Sequence, residues 1–249
     1  MHRSAALSPE QSRLADRLAA VRERIATACA RADRDPHSVT LIGVSKTWPL
    51  ADLQQAVAAG VTDLGENYVQ EAVDKVQQWQ GPAPVWHFIG PLQSNKTKVV
   101  AEHFDWVHSV DRMKIAQRLS DQRPAERAPL KVCIQVNISQ DPAKAGLHPD
   151  DVLAFADQVA QLPRLQLKGL MAIPAVDLSD AELRWQFSEL KSLSDTLIQQ
   201  QPDATVVSMG MSADFELAIE CGATQVRVGS AIFGQRQYSD QHTSGDGAQ

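Results

Sequence analysis

Runs of apolar, often β-branched residues recur along the chain and alternate with segments whose apolar residues are spaced as on one face of a helix. The runs lack the alternation of a half-exposed strand, so they are typical of parallel strands that are covered on both faces. The amphipathic segments between them predict the covering helices. The eight predicted strands span residues 39–46, 61–65, 85–89, 106–110, 130–138, 165–173, 205–209 and 224–228.

A further helical pattern precedes the first strand, where Leu14, Leu18, Val21 and Ile25 repeat at helical spacing. Eight strand–helix alternations predict an α/β fold, a single (β/α)8 TIM-type barrel with an N-terminal helical extension. A doubly wound open sheet is the alternative. No shift in composition divides the chain, so we expect one domain over residues 1–238. The polar, glycine-containing composition of residues 239–249 predicts a disordered tail.

Composition narrows the class of function. The 249 residues carry a net charge of −6, which does not fit a general nucleic-acid binder, because phosphate contacts need a basic surface. The three cysteines, Cys29, Cys133 and Cys221, are far apart and predict neither a disulfide framework nor a zinc site. No run approaches the roughly 20 apolar residues of a membrane span, and the first residues lack an apolar signal core. We therefore expect a cytoplasmic protein that binds no membrane.

Lys46 stands at the carboxyl end of the first predicted strand. Ligands bind at this edge in parallel α/β folds, and a lysine that loses water there can act as a Schiff-base nucleophile. A solvated lysine at the start of a loop is the alternative interpretation. The rest of the sequence decides between the two.

Two glycine-containing motifs, SMGMS (208–212) and RVGS (227–230), follow or end the last two predicted strands. In such barrels these two loops commonly bind phosphate, since free backbone N–H groups at a helix N-terminus favour an anion. Taken singly, each motif is better interpreted as a helix cap formed by Ser212 or Ser230. Together with Lys46, the two motifs predict one ligand-binding face.

An imine-forming lysine, a phosphate site and an arginine between them suit two kinds of ligand. One is a sugar phosphate handled by a Schiff-base aldolase, and the other is pyridoxal phosphate. Arg227 bears on the choice, because an arginine would donate to an unprotonated pyridine nitrogen and leave the ring a poor electron sink. A salt bridge or a phosphate contact is the alternative role for Arg227.

Six stretches, in order along nearly the whole predicted barrel, carry a resemblance to a known family. They are VSKT (44–47), GENYVQE (65–71), WHFIGPLQSNK (86–96), GLMAIP (169–174), SMGMSADFELAI (208–219) and VRVGSAIFG (226–234). On these stretches the chain resembles the pyridoxal phosphate homeostasis protein family, whose barrel is similar to the N-terminal barrel of alanine racemase.

The resemblance implies pyridoxal 5′-phosphate (PLP) as the cofactor and assigns roles to six residues. It implies that Lys46 carries the internal aldimine, that Arg227 faces the pyridine nitrogen, and that Asn67 contacts the side of the ring. It also implies a set of residues that hold the phosphate: Ser212, Gly229 and Ser230.

By the same resemblance the protein is a PLP carrier or regulator without an enzymatic reaction, which buffers PLP or delivers it to apoenzymes and affects vitamin B6 and amino-acid balance. Only a short stretch follows Gly234, so we expect the second domain of alanine racemase, with its tyrosine base, to be absent. Tyr68 and Tyr238 do not match that base. Racemisation needs two groups on opposite faces of the substrate carbon, and Lys46 can supply only one of them. A weak PLP-dependent racemase or lyase is therefore the alternative function. Without the second domain we expect a monomer.

Two further residues are given structural interpretations. His87 lies inside the third predicted strand and is interpreted as a hydrogen-bonded histidine of the core or rim rather than a proton carrier. Lys144, in the loop after the fifth strand, is interpreted as a solvated lysine.

Overall fold

The barrel predicted from the sequence is present. A computed structural model describes residues 9–235 of the chain. All eight strands pair in parallel with their neighbours in sequence, and the first strand also pairs with the last. The fold class is therefore confirmed, and the alternative of an open sheet is wrong. The strands are β1 (Thr40–Val44), β2 (Asp63–Glu66), β3 (Val85–Phe88), β4 (Trp106–Val110), β5 (Leu130–Val136), β6 (Leu165–Ala172), β7 (Val206–Met211) and β8 (Gln225–Val228).

Helices follow every strand and cover the outside of the barrel. Short 3-10 turns lie before β1 (Pro36–Ser38) and ahead of the fourth and sixth helices (Ser94–Lys96 and Pro149–Asp151). The α-helices are α1 (Pro9–Arg31), α2 (Leu50–Ala58), α3 (Val69–Gln78), α4 (Thr97–His103), α5 (Met113–Gln122), α6 (Val152–Ala160), α7 (Asp180–Gln200), α8 (Phe215–Glu220) and α9 (Ser230–Phe233).

The N-terminal helix α1 buries the apolar face that its sequence predicts. Leu14, Leu18, Val21 and Ile25 are each at most 5% exposed. The helix packs against α8 and α9, the two helices that follow β7 and β8. A salt bridge of 2.8 Å between Arg24 Nη2 of α1 and Glu216 Oε2 of α8 adds to this contact. The helical extension thus supports the part of the barrel where a phosphate site is predicted.

The first strand is shorter than predicted, and this changes the position of Lys46. β1 ends at Val44, and the backbone N–H of Trp48 donates to the carbonyl of Ser45, which marks a turn. Lys46 therefore lies in the loop beyond the strand rather than in the strand itself. It still occupies the carboxyl-end face of the barrel, where the sequence predicts the ligand.

Within residues 9–235, no helix has the length and apolar character that a membrane span requires. The same residues contain no group of three or more histidine, cysteine or acidic side chains arranged to hold a metal ion. The predicted domain boundary at residue 238, the tail 239–249 and Tyr238 lie outside the described residues.

Candidate functional site

A cavity of about 600 Å³ opens at the carboxyl ends of the strands. Its volume lies in the range of roughly 300 to 1,000 Å³ that small-molecule sites occupy. Apolar side chains, among them Val44, Trp48, Ile89 and Met211, form much of its wall. The cavity brings together all six residues predicted from the sequence: Lys46, Asn67, Ser212, Arg227, Gly229 and Ser230.

Lys46 lines this cavity with an unpaired amine. Within residues 9–235, its Nζ atom makes no hydrogen bond and no ion pair. The next residue, Thr47, has a backbone φ of 67°, in the left-handed region that a β-branched residue rarely adopts. The loop that presents Lys46 is thus held in a conformation that its own sequence does not favour, so neighbouring groups must fix it.

A group of charged side chains, the Lys75 cluster (Lys75, Glu66 and Glu71), fixes that loop. Lys75 Nζ donates to the Ser45 carbonyl at 2.9 Å, to Glu66 Oε1 at 2.8 Å and to Glu71 Oε1 at 2.6 Å. Ser45 Oγ also donates to Glu66 Oε1, at 2.6 Å, and the Thr47 N–H donates to Glu71 Oε1. The backbone is therefore held on both sides of the cavity lysine.

Burial has the largest effect on the pKa of the Glu66 carboxyl group. Its side chain is fully buried, and desolvation raises the pKa of the carboxyl group. The charge and hydrogen bond of Lys75, together with the hydrogen bond from Ser45, offset only part of that rise. The ionised carboxylate consequently depends on Lys75 to remain inside the protein.

Arg227, in β8, supplies a buried positive charge to the cavity. It is 4% exposed, and burial lowers its pKa to about 10, so the guanidinium stays charged at neutral pH. Its Nη1 donates to Ser208 Oγ at 2.8 Å and its Nη2 to the Ala172 carbonyl at 3.0 Å. These bonds use two of its five N–H groups, which leaves donors for a ligand.

The two predicted phosphate motifs meet each other directly. Ser212 Oγ accepts a hydrogen bond of 3.2 Å from the Gly229 N–H. The interpretation of Ser212 and Ser230 as helix caps is wrong, because the cap residues of α8 and α9 are Asp214 and Gly229. A long-range hydrogen bond thus joins the two loops, and neither serine caps its helix.

Gly229 is favoured by space rather than by backbone conformation. Its φ is −111°, which any residue can adopt. A Cβ atom built at this position would lie 3.3 Å from the carbonyl oxygen of Val44 and 3.4 Å from its Cβ atom. A side chain here would need these neighbours to shift by a few tenths of an ångström, so glycine lets the β8–α9 loop lie close to β1.

The two acidic residues near the phosphate motifs each have a partner. Glu216 forms its salt bridge with Arg24 on α1, and Asp214 Oδ1 accepts a hydrogen bond from the Met211 N–H at 2.6 Å. Neither carboxyl group is among the residues that line the cavity. The Arg24 charge offsets that of Glu216, whereas the charge of Asp214 acts on Arg227.

Asn67, directly after β2, presents an unsatisfied polar atom. Its Oδ1 atom is buried and has no hydrogen-bond partner among the described residues. The Asn67 backbone packs so closely on Gly90 that a Cβ atom there would lie 2.2 Å from the Asn67 carbonyl oxygen. Because a buried acceptor without a partner is costly, this atom marks a position where a ligand donor fits.

Several polar residues near the cavity were missed by the sequence analysis or interpreted differently. The interpretation of His87 as a hydrogen-bonded core histidine is confirmed, because it is fully buried and bonded to Asp63 and His108. His108 sits inside an apolar strand in the same way as His87, and that shared pattern could have indicated it. Lys144 lies in a turn and is half-buried, and its Nζ donates one hydrogen bond of 3.0 Å to the Pro174 carbonyl.

Comparison with known proteins agrees with this geometry. The family model described as alanine racemase, N-terminal domain, matches residues 17–237. The chain is 51% identical over 226 residues to the pyridoxal phosphate homeostasis protein of Pasteurella multocida, which covers 89% of this chain and 97% of that protein. The pyridoxal phosphate homeostasis protein of Escherichia coli K12 is 48% identical over 232 residues, or 91% of this chain and 98% of its own.

Solved structures extend the comparison to the fold. PipY from Synechococcus elongatus, with PLP bound, is 41% identical, with a TM-score of 0.79 over 89% of this chain and 100% of its own. Alanine racemase from Clostridium difficile 630 is 15% identical, with a TM-score of 0.71 over 91% of this chain and 58% of its own, a likeness of fold alone. On the family match and on relatives near half identity, this chain belongs to the pyridoxal phosphate homeostasis protein family, which shares its barrel with alanine racemase.

Proposed function

We propose that this protein binds PLP in the cavity at the carboxyl ends of its strands, holds it covalently on Lys46, and buffers it or delivers it to apoenzymes. The proposal rests on one observation: a single cavity is lined by the unpaired Lys46 amine, by buried Arg227 and by the two loops that the Ser212–Gly229 hydrogen bond joins. An amine, a fixed cation and a phosphate site are the groups that this cofactor requires.

The residues of the cavity fit the cofactor at each end. Ser212, Ser230 and the backbone at Gly229 would hold its phosphate, as polar groups of two loops that already contact each other. Arg227 would donate one of its remaining N–H groups to the pyridine nitrogen. The unsatisfied Asn67 Oδ1 would accept a hydrogen bond from a donor on the ring or from an ordered water.

Lys46 would hold the cofactor through a C=N bond to its aldehyde carbon, a condensation that would release the carbonyl oxygen and both amine protons as water. Arg227 cannot give up its proton, so it would donate to the ring nitrogen and disfavour protonation there. The protein would thus retain the cofactor while restraining its reactivity.

The composition of the cavity supports a carrier rather than an enzyme. Of the described residues that line it, Lys46 is the one side chain with an amine that could act as a general base. Tyr68 is 55% exposed and is not among the lining residues. Relatives named for pyridoxal phosphate homeostasis, and the PipY structure with PLP bound, support the same role.

Absorption spectroscopy tests the covalent attachment. We expect purified protein incubated with PLP to show a near-ultraviolet or visible band that borohydride abolishes, and peptide mapping to find the pyridoxyl group on Lys46. Lys144 is the internal control, because its amine is bonded to the Pro174 carbonyl and should remain unmodified. A protein that stays colourless with excess PLP, or an adduct confined to another lysine, would contradict the proposal.

A second measurement separates a carrier from an enzyme. The loaded protein is incubated with single amino acids and, in parallel, with an apoenzyme that requires PLP. A carrier predicts recovery of apoenzyme activity without chemical change of any amino acid. Turnover of an amino acid at a rate above that of free PLP would instead establish the alternative, a weak PLP-dependent enzyme.

A further inference from the structure

Five polar side chains form one continuous series of hydrogen bonds that ends at Arg227. Asp63 Oδ1 lies 2.8 Å from His87 Nε2, and His87 Nδ1 lies 2.9 Å from His108 Nε2. His108 Nδ1 lies 2.9 Å from Ser208 Oγ, which accepts from Arg227 Nη1 at 2.8 Å. We call these five residues the interior network.

The interior network crosses the inside of the barrel. His108 belongs to β4 and Ser208 to β7, strands that are not neighbours in the sheet, so their contact passes through the barrel interior. His87, His108 and Ser208 are fully buried. Asp63, the first residue of β2, has a side chain that is 14% exposed. The network therefore joins the ligand cavity to the amino-terminal end of the barrel.

The network is a polar feature in an otherwise apolar part of the barrel interior. The interiors of such barrels are filled mostly by bulky apolar side chains. Here Trp106, Cys133 and Met171 form an apolar cluster of that kind, and His87 stacks on Trp106 with a centroid distance of 5.4 Å. Each of the five polar groups beside this cluster depends on its neighbour in the network for a hydrogen-bond partner, so the orientation of each side chain constrains the others.

The carboxylate end of the network fixes the direction of the hydrogen bonds when both imidazoles are neutral. An ionised carboxylate can only accept, so His87 carries its proton on Nε2 and its Nδ1 accepts from His108 Nε2–H. His108 Nδ1 then accepts the Ser208 O–H, and the Ser208 oxygen accepts in turn from Arg227, which can only donate. Both neutral imidazoles are therefore Nε2–H tautomers.

The charges of the groups agree with this assignment. Burial raises the pKa of Asp63, but the hydrogen bonds from His87 and Thr62 outweigh it and leave the pKa below its ordinary value. Burial lowers the pKa of His87 and of His108. Other titratable groups also face the network: Asp105 and Lys131 beside His87, and Cys133 and Asp214 beside Arg227.

We propose that Asp63, His87, His108 and Ser208 act as positioning residues, a one-directional series of hydrogen bonds that orients the Arg227 guanidinium toward the cofactor ring. This assignment rests on the proposed function, because it gives Arg227 its partner in the cavity. Ser208 and the Ala172 carbonyl each fix one nitrogen of the guanidinium, so its plane cannot rotate freely. A carboxylate on the far side of the barrel thereby influences how the cofactor is held.

Nitrogen NMR of the histidine side chains tests the direction of the network independently of any ligand. The spectra of the full-length chain are recorded near pH 7, first without and then with saturating PLP. We expect His87 and His108 to be neutral Nε2–H tautomers in both samples. A charged ring, or an Nδ1–H tautomer at either histidine, would overturn the assignment.

Ser208→Ala tests the link to Arg227. We expect the variant to bind PLP roughly ten- to a hundredfold more weakly, as for the loss of a hydrogen bond to a charged group. We also expect the pH midpoint of the absorption of bound PLP to shift, which a change in packing alone would not cause. Ser194→Ala is the matched control, because Ser194 is equally buried and its Oγ has no partner among the described residues.

Asp63→Ala tests the far end, where the side chain is least constrained by packing. Without the carboxylate, we expect His87 to change tautomer and the pH midpoint of bound PLP to move in the same direction as in Ser208→Ala. Asp203→Ala removes an exposed carboxylate ahead of β7, at the same end of the barrel, and should change neither. Unchanged tautomers and midpoint in Asp63→Ala would overturn the role of Asp63.

These outcomes distinguish the two proposals. If the wild-type chain binds no PLP, the proposed function fails, and the cofactor-directed role of the network fails with it. If the wild-type chain binds PLP while Ser208→Ala keeps the same affinity and pH midpoint, the positioning role alone fails. A loss of affinity that is equal in Ser208→Ala and Ser194→Ala would likewise overturn the positioning role and leave the proposed function intact.

Discussion

Lys46 and Lys75 lie on opposite sides of the same short loop and differ in almost every respect. The Lys46 amine lines the ligand cavity and has no partner among the described residues. The Lys75 side chain is 8% exposed, and its amine donates three hydrogen bonds, to Glu66, Glu71 and the Ser45 carbonyl. A lysine has three N–H groups when charged, so Lys75 is saturated and Lys46 is entirely available.

The two lysines differ in whether their amine is available to react with a ligand. A charged lysine that is fully hydrogen-bonded is held as an ammonium and cannot attack a carbonyl, because attack needs the free electron pair of the neutral amine. The cavity amine carries no such restraint, yet its backbone is fixed by the neighbouring cluster. The Lys46 amine is thus free to react with a ligand, as proposed above, whereas the Lys75 amine holds the loop.

The largest expected effect comes from breaking the Lys75 cluster. Lys75→Met removes the partner of buried Glu66, and loss of one member of a buried ion pair typically costs about 3 to 5 kcal/mol of unfolding free energy. Denaturant unfolding of the cofactor-free chain measures the loss. Glu66→Gln added to Lys75→Met should recover part of it, because an amide replaces the unpaired carboxylate. A loss under about 1 kcal/mol would mean that the pair is not structurally important.

The effect of Lys75→Met should also depend on pH. Burial already raises the pKa of Glu66, and removal of Lys75 removes the charge that offsets part of that rise. An acid with a raised folded-state pKa contributes stability that is present below its unfolded-state pKa and is lost as the pH rises through the folded-state value. The deficit of the variant relative to wild type should therefore be largest near neutral pH and shrink as the pH falls toward about 4.5.

Paired unfolding curves at several pH values between about 7 and 5 measure this dependence. His87 and His108 are present in both proteins, so their titration cancels in the difference between variant and wild type. A deficit that stays constant or grows on acidification would contradict the role assigned to the Glu66 carboxylate.

A smaller effect is expected from Glu71→Gln. The Glu71 carboxylate accepts from Lys75 and from the Thr47 N–H, and its side chain is 29% exposed. We expect a loss of about 1 kcal/mol, as for one charge-assisted hydrogen bond in a partly buried setting. Glu102→Gln is the matched control, because Glu102 faces Lys98 across one helical turn at 3.9 Å and Lys98 is 70% exposed. The control should change stability by less than about 0.5 kcal/mol.

The fold could be predicted from the sequence because the residues of each strand indicate whether one or both of its faces are buried. An apolar run such as residues 130–138 has no polar face, which requires cover on both sides, and eight such runs close a barrel. The ends of the strands were less predictable. β1 ends at Val44, and the next residue begins a turn in which the Trp48 N–H donates to the Ser45 carbonyl. The hydrophobic pattern of a strand does not predict such a contact.

Lys46, Arg227 and the two phosphate motifs could be placed on one face because the carboxyl ends of parallel strands meet there, whereas Asn67 was predicted from the family resemblance alone. The groups that support them could not be predicted. Asp63, His108 and Ser208 meet only when β2, β4 and β7 curve around the same axis, and all five residues of β4 are buried, so burial does not show which of them point inward. The capping roles expected for Ser212 and Ser230 were wrong for a related reason, since the Gly229–Ser212 contact joins loops 17 residues apart.

The smallest expected effect on stability comes from Lys46→Met. This variant tests most directly whether Lys46 and Lys75 have different roles. The Lys46 amine has no partner among the described residues, and methionine matches its unbranched stem, so we expect the unfolding free energy to change by less than about 0.5 kcal/mol. The same substitution should abolish the borohydride-reducible PLP adduct completely. Lys75→Met should show the reverse pattern at low temperature, with a large loss of stability and an adduct that still forms on Lys46 in the folded fraction. If Lys46→Met destabilised the cofactor-free chain as much as Lys75→Met, the cavity lysine would be a structural residue, and the division of roles between the two lysines would be wrong.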